Sequence, residues 1–159
     1  MEPLTTVHVQ EVLKQYDIEV MAFEESTATS EMAAQAIGCK LGQIAKSLCF
    51  IVDSVPVLVI ASGDQRVDTK KLADIRGVAR KRVKVAKPEE CIEIFGYAPG
   101  GVPPVAHRTE NLPIYFDDSL KRYEMIYAAA GASNINFGVE TQRLIDITGG
   151  EVINIRQES

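Results

Sequence analysis

The period of the apolar positions changes several times along the chain, and each change marks an element. Val9, Val12, Leu13 and Tyr16 recur at helical spacing, which predicts an amphipathic helix over Val7–Tyr16. Val20–Phe23 predicts a short strand. In the hydroxyl-rich stretch Ser26–Ser30, Thr29 or Ser30 is placed to cap a helix Glu31–Ile37 that Gly38 ends. Ile44–Val52 is a long apolar run of strand composition. Asp53-Ser54 turns the chain and Pro56–Ala61 returns it, so the pair reads as a hairpin. Asp68 or Thr69 caps a helix through Ile75, with Gly77 as its stop. A strand over Lys81–Val85 comes next, then a helix opened by Pro88 and ending near Phe95. No regular element fits Gly96–Pro104, GYAPGGVPP, which reads as a structured loop. Beyond it lie strands at Ile114–Phe116, Glu124–Ala129 and Ile135–Phe137. A helix Glu140–Ile147 stops at Gly149-Gly150, and a strand Val152–Ile155 closes the pattern. Interleaved helices and strands with a hairpin and short connections predict one α+β domain over residues 1–159, on a mixed rather than purely parallel sheet.

Composition narrows the function classes. The 159 residues are 46% hydrophobic and 25% charged, an ordinary globular balance. No apolar run approaches the roughly 20 residues that span a bilayer, and the N-terminus lacks the basic start and apolar core of a secretory signal. A cytoplasmic protein is the expectation. The net charge of −5 argues against a general DNA or membrane coat. It hides an asymmetry: Arg76, Arg80, Lys81, Arg82, Lys84 and Lys87 form a basic stretch that no acid interrupts. This stretch is either a solvated edge whose charges block strand pairing or a local phosphate-binding patch. Cys39, Cys49 and Cys91, with His8 and His107, make no zinc signature and no disulfide framework, so neither metal nor cofactor is expected. Cys49, inside an apolar run, reads most simply as a small buried hydrophobe.

The chain has no G-x-S-x-G elbow, Walker loop, dinucleotide fingerprint or H-E-x-x-H helix. Two features remain. In QIAKSLCFIV, Lys46 shares a strand face with Ile44, Leu48 and Phe50, and the opposite face is also small or apolar. A lysine there snorkels out, finds an anion, or faces a wet cavity as a holder of phosphate or carboxylate. The second feature is Gly100-Gly101-Val102-Pro103-Pro104. Its glycines allow positive φ and close backbone approach, and its prolines stiffen the chain after them. Such a loop is a tight structural turn or a backbone N–H clamp for a ligand oxygen.

In this order the two features resemble the YbaK-type family of aminoacyl-tRNA deacylases, which includes the editing domain inserted in some bacterial prolyl-tRNA synthetases. The resemblance covers nearly the whole chain: TSEMAAQAIG, QIAKSLCFIV, VDTKKLADIRG, GYAPGGVPPVAH, LPIYFDDSL, EMIYAAAG and LIDITGGEV. It implies a mixed, largely antiparallel, barrel-like sheet flanked by helices, with a pocket for the 3′ end of a mischarged tRNA. The family lysine falls on Lys46, and the family G-x-x-P-x-G loop falls on Gly101–Ala106, with Ala106 in place of the final glycine. The resemblance thus implies catalytic roles for Lys46, Gly101 and Pro104. It implies substrate contacts from Gly100, Val102, Ala106, His107, Ala130, Gly131 and Ser133, and from a family acid at Asp117 or Asp118. Phe23 and Thr27 are further candidates for the pocket wall, and the participation of Cys49 is left open. Lys70, Lys71, Arg80, Lys81, Arg82 and Lys84 would meet acceptor-stem phosphates.

The resulting expectation is a free-standing trans-editing hydrolase that removes a small amino acid from tRNA, tRNA(Pro) above others, without metal or covalent intermediate. Its partners would be the aminoacyl-tRNA acceptor end and prolyl-tRNA synthetase. A non-catalytic module that binds a nucleotide or aminoacyl adenylate in the same pocket is the alternative. A hydrolase of an unrelated small ester or amide is a third reading.

Overall fold

A computed structural model describes residues 1–158. The chain runs α1 (Thr6–Lys14), β1 (Met21–Ala22), α2 (Ser30–Ile37), β2 (Ala45–Val52), β3 (Val55–Ser62) and α3 (Thr69–Arg76). It continues with β4 (Val83–Val85), α4 (Pro88–Glu90), β5 (Ile114–Asp117), β6 (Met125–Ala132), β7 (Ile135–Glu140), α5 (Thr141–Thr148) and β8 (Glu151–Ile153). α4 passes directly into a π-helical turn, Cys91–Phe95.

The hairpin read from the sequence is the frame. β2 and β3 pair antiparallel over eight positions, from Ala45 opposite Ser62 to Val52 opposite Val55. Asp53 and Ser54 take φ of +47° and +69°, the two-residue geometry that matches strand twist. The hairpin is buried on both faces, as its unbroken apolar character predicts. Ala45, Cys49, Leu58 and Ile60 enter the larger core, while Phe50, Val52, Val57, Val59 and Ala61 enter a second one with Leu72 and Tyr115.

Five strands form one mixed sheet in the order β4-β2-β3-β5-β8, with β3-β5 and β5-β8 parallel and the rest antiparallel. A second, antiparallel sheet has the order β1-β7-β6. The mixed α and β architecture is the expected one. In place of a single barrel-like sheet, however, the described residues form two sheets, with an Ile44–Tyr127 bridge between them.

Local chemistry sets the helix ends. Thr29 Oγ1 accepts from Met32 N at 3.1 Å, and Gly38 closes α2 at φ +83°. Asp68 Oδ1 accepts from Lys70 N at 2.9 Å to open α3, which Gly77 closes at φ +68°. The predicted strand Lys81–Val85 begins later. Arg80–Arg82 form a 3-10 turn, and only Val83–Val85 reach the edge of β2.

β6 carries an irregularity that shapes the site. Its register with β7 shifts between Ala129 and Ala132. Gly131, at φ +94° in this bulge, donates its N–H to Gly101 O at 2.9 Å, and Thr6 Oγ1 donates to Ala130 O at 2.8 Å. The bulge thereby ties the Gly96–Pro104 loop to α1 and to the second sheet.

Candidate functional site

A cavity of about 360 Å³ opens where β2, the first turn of α2, the 99–102 loop and the inner faces of β6 and β7 meet. Lys46 lies in its wall. Opposite Ala61 in the hairpin register, Lys46 donates Nζ–H to Gln65 O at 2.5 Å. That carbonyl belongs to a turn braced from both sides. Ser62 Oγ donates to Asp64 Oδ1 at 2.9 Å, and Arg122 grips Asp64 at 2.8 Å. Asp64 is held below the usual carboxylate range, first by this guanidinium and despite partial burial. Burial pushes the Lys46 ammonium below its ordinary range, with Glu31 and Asp64 opposing the shift and Arg66 adding to it.

Thr29 and Ser30, the cap and first residue of α2, share the cavity with Lys46. The positive end of a helix and a lysine on one wall make an anion-holding corner. The remaining wall is small and neutral: Ala28, Ala33, Ala45, Ala86 and Ala129 limit its width. Among the described residues, no carboxylate or imidazole lines it. Thr27 and Asn136, buried side by side, are joined at 2.6 Å from Thr27 Oγ1 to Asn136 Oδ1. Thr27 is fixed there because its N–H reaches Ser133 O at 2.6 Å, pinning the segment before α2 to the β6–β7 turn.

The loop explains its glycines. Gly100 stands at φ +91° and lines the cavity with Pro99 and Val102. A Cβ on Gly101 would lie 3.0 Å from the Ala132 backbone, so this position is a close approach to the β6 bulge. The Gly101 N–H is committed to Ala98 O at 3.2 Å, and the Gly101 carbonyl to Gly131. An oxyanion clamp centred on the Gly101 N–H is therefore not what the loop presents. The loop residues that line the cavity are Pro99, Gly100 and Val102.

Other expected site residues lie elsewhere. Pro104, Ala106 and His107 line a second cavity of about 270 Å³, with Tyr16 and Ile147. His107 pairs Nε2 with Pro103 O at 2.7 Å, and burial pushes its imidazole down in pKa. Ala106 adopts φ +63°, the conformation natural to the glycine it replaces. Asp117 is fully buried away from the cavity. It accepts from Ser119 N at 3.1 Å, from the Ser119 hydroxyl and from Ile155 N at 2.8 Å, so it ties β5 to the C-terminal segment. Asp118 pairs with Arg156. Gly131 and Ala130 lie in the bulge, and the Ser133 carbonyl accepts from Thr27 N.

A model of the aminoacyl-tRNA editing domain matches residues 24–147, a span that takes in Lys46, the glycine loop and the β6 bulge. The chain belongs to this family. The Bacillus subtilis (strain 168) protein YwhH, itself uncharacterized, is 36% identical over 137 residues, covering 84% of this chain and 83% of YwhH. EbsC of Enterococcus faecalis, described as a proposed Cys-tRNA(Pro)/Cys-tRNA(Cys) deacylase, is 26% identical over 143 residues, covering 89% of this chain and 84% of EbsC. A crystal structure of a proposed trans-editing enzyme for prolyl-tRNA synthetase superposes with a TM-score of 0.89 at 35% identity. The match covers 96% of this chain and 97% of that one.

In this editing domain the basic residues named from the sequence divide into three groups. Lys71 is engaged with Arg156 O at 2.7 Å and Glu158 at 3.1 Å, Arg80 with Thr69, and Arg76 with the Tyr115 hydroxyl. Arg82, Lys84 and Lys87 instead line a groove that shares Val85 with the main cavity. Lys70 and Lys81 are exposed outside it. Sequence reasoning missed Ser47, Cys91 and Asn136 as cavity walls. Their signal is contact between distant segments, such as Thr27 with Asn136, which no local motif carries. No helix among the described residues is long and apolar enough to cross a membrane.

Proposed function

We propose that this editing domain is a trans-acting deacylase that hydrolyses the ester between a small amino acid and the terminal ribose of tRNA, with tRNA(Pro) as the favoured carrier. The observation that carries the reading is the pairing of a half-buried ammonium and a helix N-terminus with a small, neutral-walled cavity. The anionic 3′ nucleotide sits at Lys46 and the start of α2, and the acyl group extends inward between Ala45, Ala86 and Ala129. Lys87, Lys84 and Arg82 lead the preceding phosphates away across Val85.

The chemistry required is modest, because an aminoacyl ester is already activated. Water attacks the carbonyl carbon, the C–O bond to ribose breaks, and the ribose oxygen leaves with a proton as the free amino acid forms. The described wall offers no carboxylate or imidazole as base, so catalysis rests on position and on oxyanion stabilisation by backbone N–H groups beside Gly100 and Val102. Such a site serves as a second sieve, because a synthetase pocket separates amino acids one methylene apart by only about 1–3 kcal/mol.

The test is a deacylation panel: tRNA(Pro) and tRNA(Ala), each charged with alanine, cysteine, serine or threonine. Turnover of at least one ester, reduced about 100-fold in Lys46→Ala with the fold retained, is the expected result. Tight binding of charged tRNA without hydrolysis would replace the deacylase with a binding module.

A further inference from the structure

Two thiols meet in the wall of the main cavity. Cys49 lies on β2, and Cys91 opens the π-helical turn that follows α4. Both line the cavity, and each keeps a little exposure, 8% and 5%. Ala86 joins the two segments: its N–H donates to Cys49 O at 2.9 Å, and its carbonyl accepts from Cys91 Sγ at 4.0 Å. The Cys49 thiol in turn donates to the Cys91 sulfur.

Neither thiol takes part in the ester chemistry proposed above. Among the described residues, no third metal-ligating side chain completes a cluster with them. Two ligands fall short of the three or four that hold a zinc ion, so the chemistry open to the pair is that of sulfur with sulfur. The donation from Cys49 holds the Cys91 thiol below its ordinary range, against burial and the nearby Glu90 and Glu89. Cys91 is therefore the readier of the two to react as thiolate.

We infer that Cys49 and Cys91 form a redox-sensitive modification site, which a peroxide converts to a disulfide in the cavity wall. The Cys91 thiolate attacks one peroxide oxygen and the O–O bond breaks. The departing hydroxide leaves as water with the proton released from Cys91, and Cys91 becomes a sulfenic acid. The Cys49 sulfur then attacks the Cys91 sulfur and the S–O bond breaks. The Cys49 proton leaves with that hydroxide as a second water. Both sulfurs are oxidised, and one peroxide is reduced to two waters. The new bond draws β2 and the π-helical turn together beside Ala86, where the proposed acyl group passes. Oxidation thus narrows the cavity, and reduction reopens it. The disulfide stands apart from the deacylase reading, and only the loss of hydrolysis rests on it.

Cys39 packs outside the cavity with Ala33 and Ile44, so it serves as an internal reference. Wild-type protein is treated with hydrogen peroxide, alkylated without reduction and mapped by peptide mass spectrometry. The expected product is a Cys49–Cys91 linked peptide, two hydrogens lighter than the separate pair, from which dithiothreitol returns both thiols. Both thiols still open to alkylation, or a link that runs through Cys39, overturns the inference. For hydrolysis, the oxidised wild type should be about 100-fold slower than the reduced, the cost of misplacing a substrate by about 1 Å. In Cys49→Ser and Cys91→Ser, which keep the side-chain size, oxidised and reduced rates should be equal. A wild type that carries the disulfide at full rate, or variants that lose as much as the wild type, overturns the switch. If the reduced wild type cleaves no ester, the deacylase reading falls and the peptide map alone decides the thiol site.

Discussion

Ala106 shows how one residue stores strain in this fold. Its φ of +63° costs an L-residue roughly 1–2 kcal/mol. Its carbonyl nevertheless accepts the Tyr97 hydroxyl at 2.7 Å, which holds the conformation. Ala106→Gly should therefore raise stability to urea by about 1 kcal/mol, and an unchanged midpoint would show that the strain is relaxed in solution. The neighbouring His107 gives a pH signature. Burial holds its folded-state pKa below the ordinary value of about 6.5, so the unfolded chain binds its proton first. The stability this contributes is complete above about pH 6.5 and is lost as pH falls from there toward the folded value. Urea midpoints should drop between about pH 7.5 and 5.5, and the drop should shrink in His107→Gln. For the acid at the end of β5, the sequence distinguishes neither Asp117 from Asp118 nor a pocket wall from a buried clamp. The contacts of Asp117 to Ser119 and Ile155 decide that. Lys46 was legible because a charge in an apolar strand has few resting places.

At the scale of elements, the site depends on the contact between the 96–104 loop and the bulge of β6. Gly101→Ala would place a methyl 3.0 Å from the Ala132 backbone, which cannot step aside as a side chain can. The expected cost is about 1–3 kcal/mol of stability, with a loss of deacylation larger than the fall in folded fraction. Equal activity at equal folded fraction would show that the loop position is irrelevant to the site. The loop was readable as irregular from its glycines and prolines, and so were the hairpin and the capped helices α2 and α3. The bulge was not, since AAAGA reads as strand without a register to measure against. The same holds for Arg80–Arg82, where charge pattern alone leaves strand and 3-10 turn equivalent.

Over the whole molecule, an acidic protein carries a groove next to its cavity in which three basic residues stand beside Asp53 and Glu90. Arg82, Lys84 and Lys87 flank the groove next to Val85, while Lys71 and Arg80 serve the fold. Charge reversal at Arg82 and Lys84 should weaken tRNA binding and lower the log–log salt slope by about one for each phosphate no longer neutralised. Lys71→Ala should leave that slope unchanged, and equal slopes for all three variants would remove the groove from the tRNA path. On the proposed function, the Lys46 cavity is where the aminoacyl ester is cleaved. The most direct test is single-turnover hydrolysis of seryl- and alanyl-tRNA(Pro) under saturating enzyme, wild type against Lys46→Ala. Ester loss well above the buffer rate is expected for the wild type, with a fall of about 100-fold in the variant. A variant as fast as the wild type would place the chemistry elsewhere in the molecule.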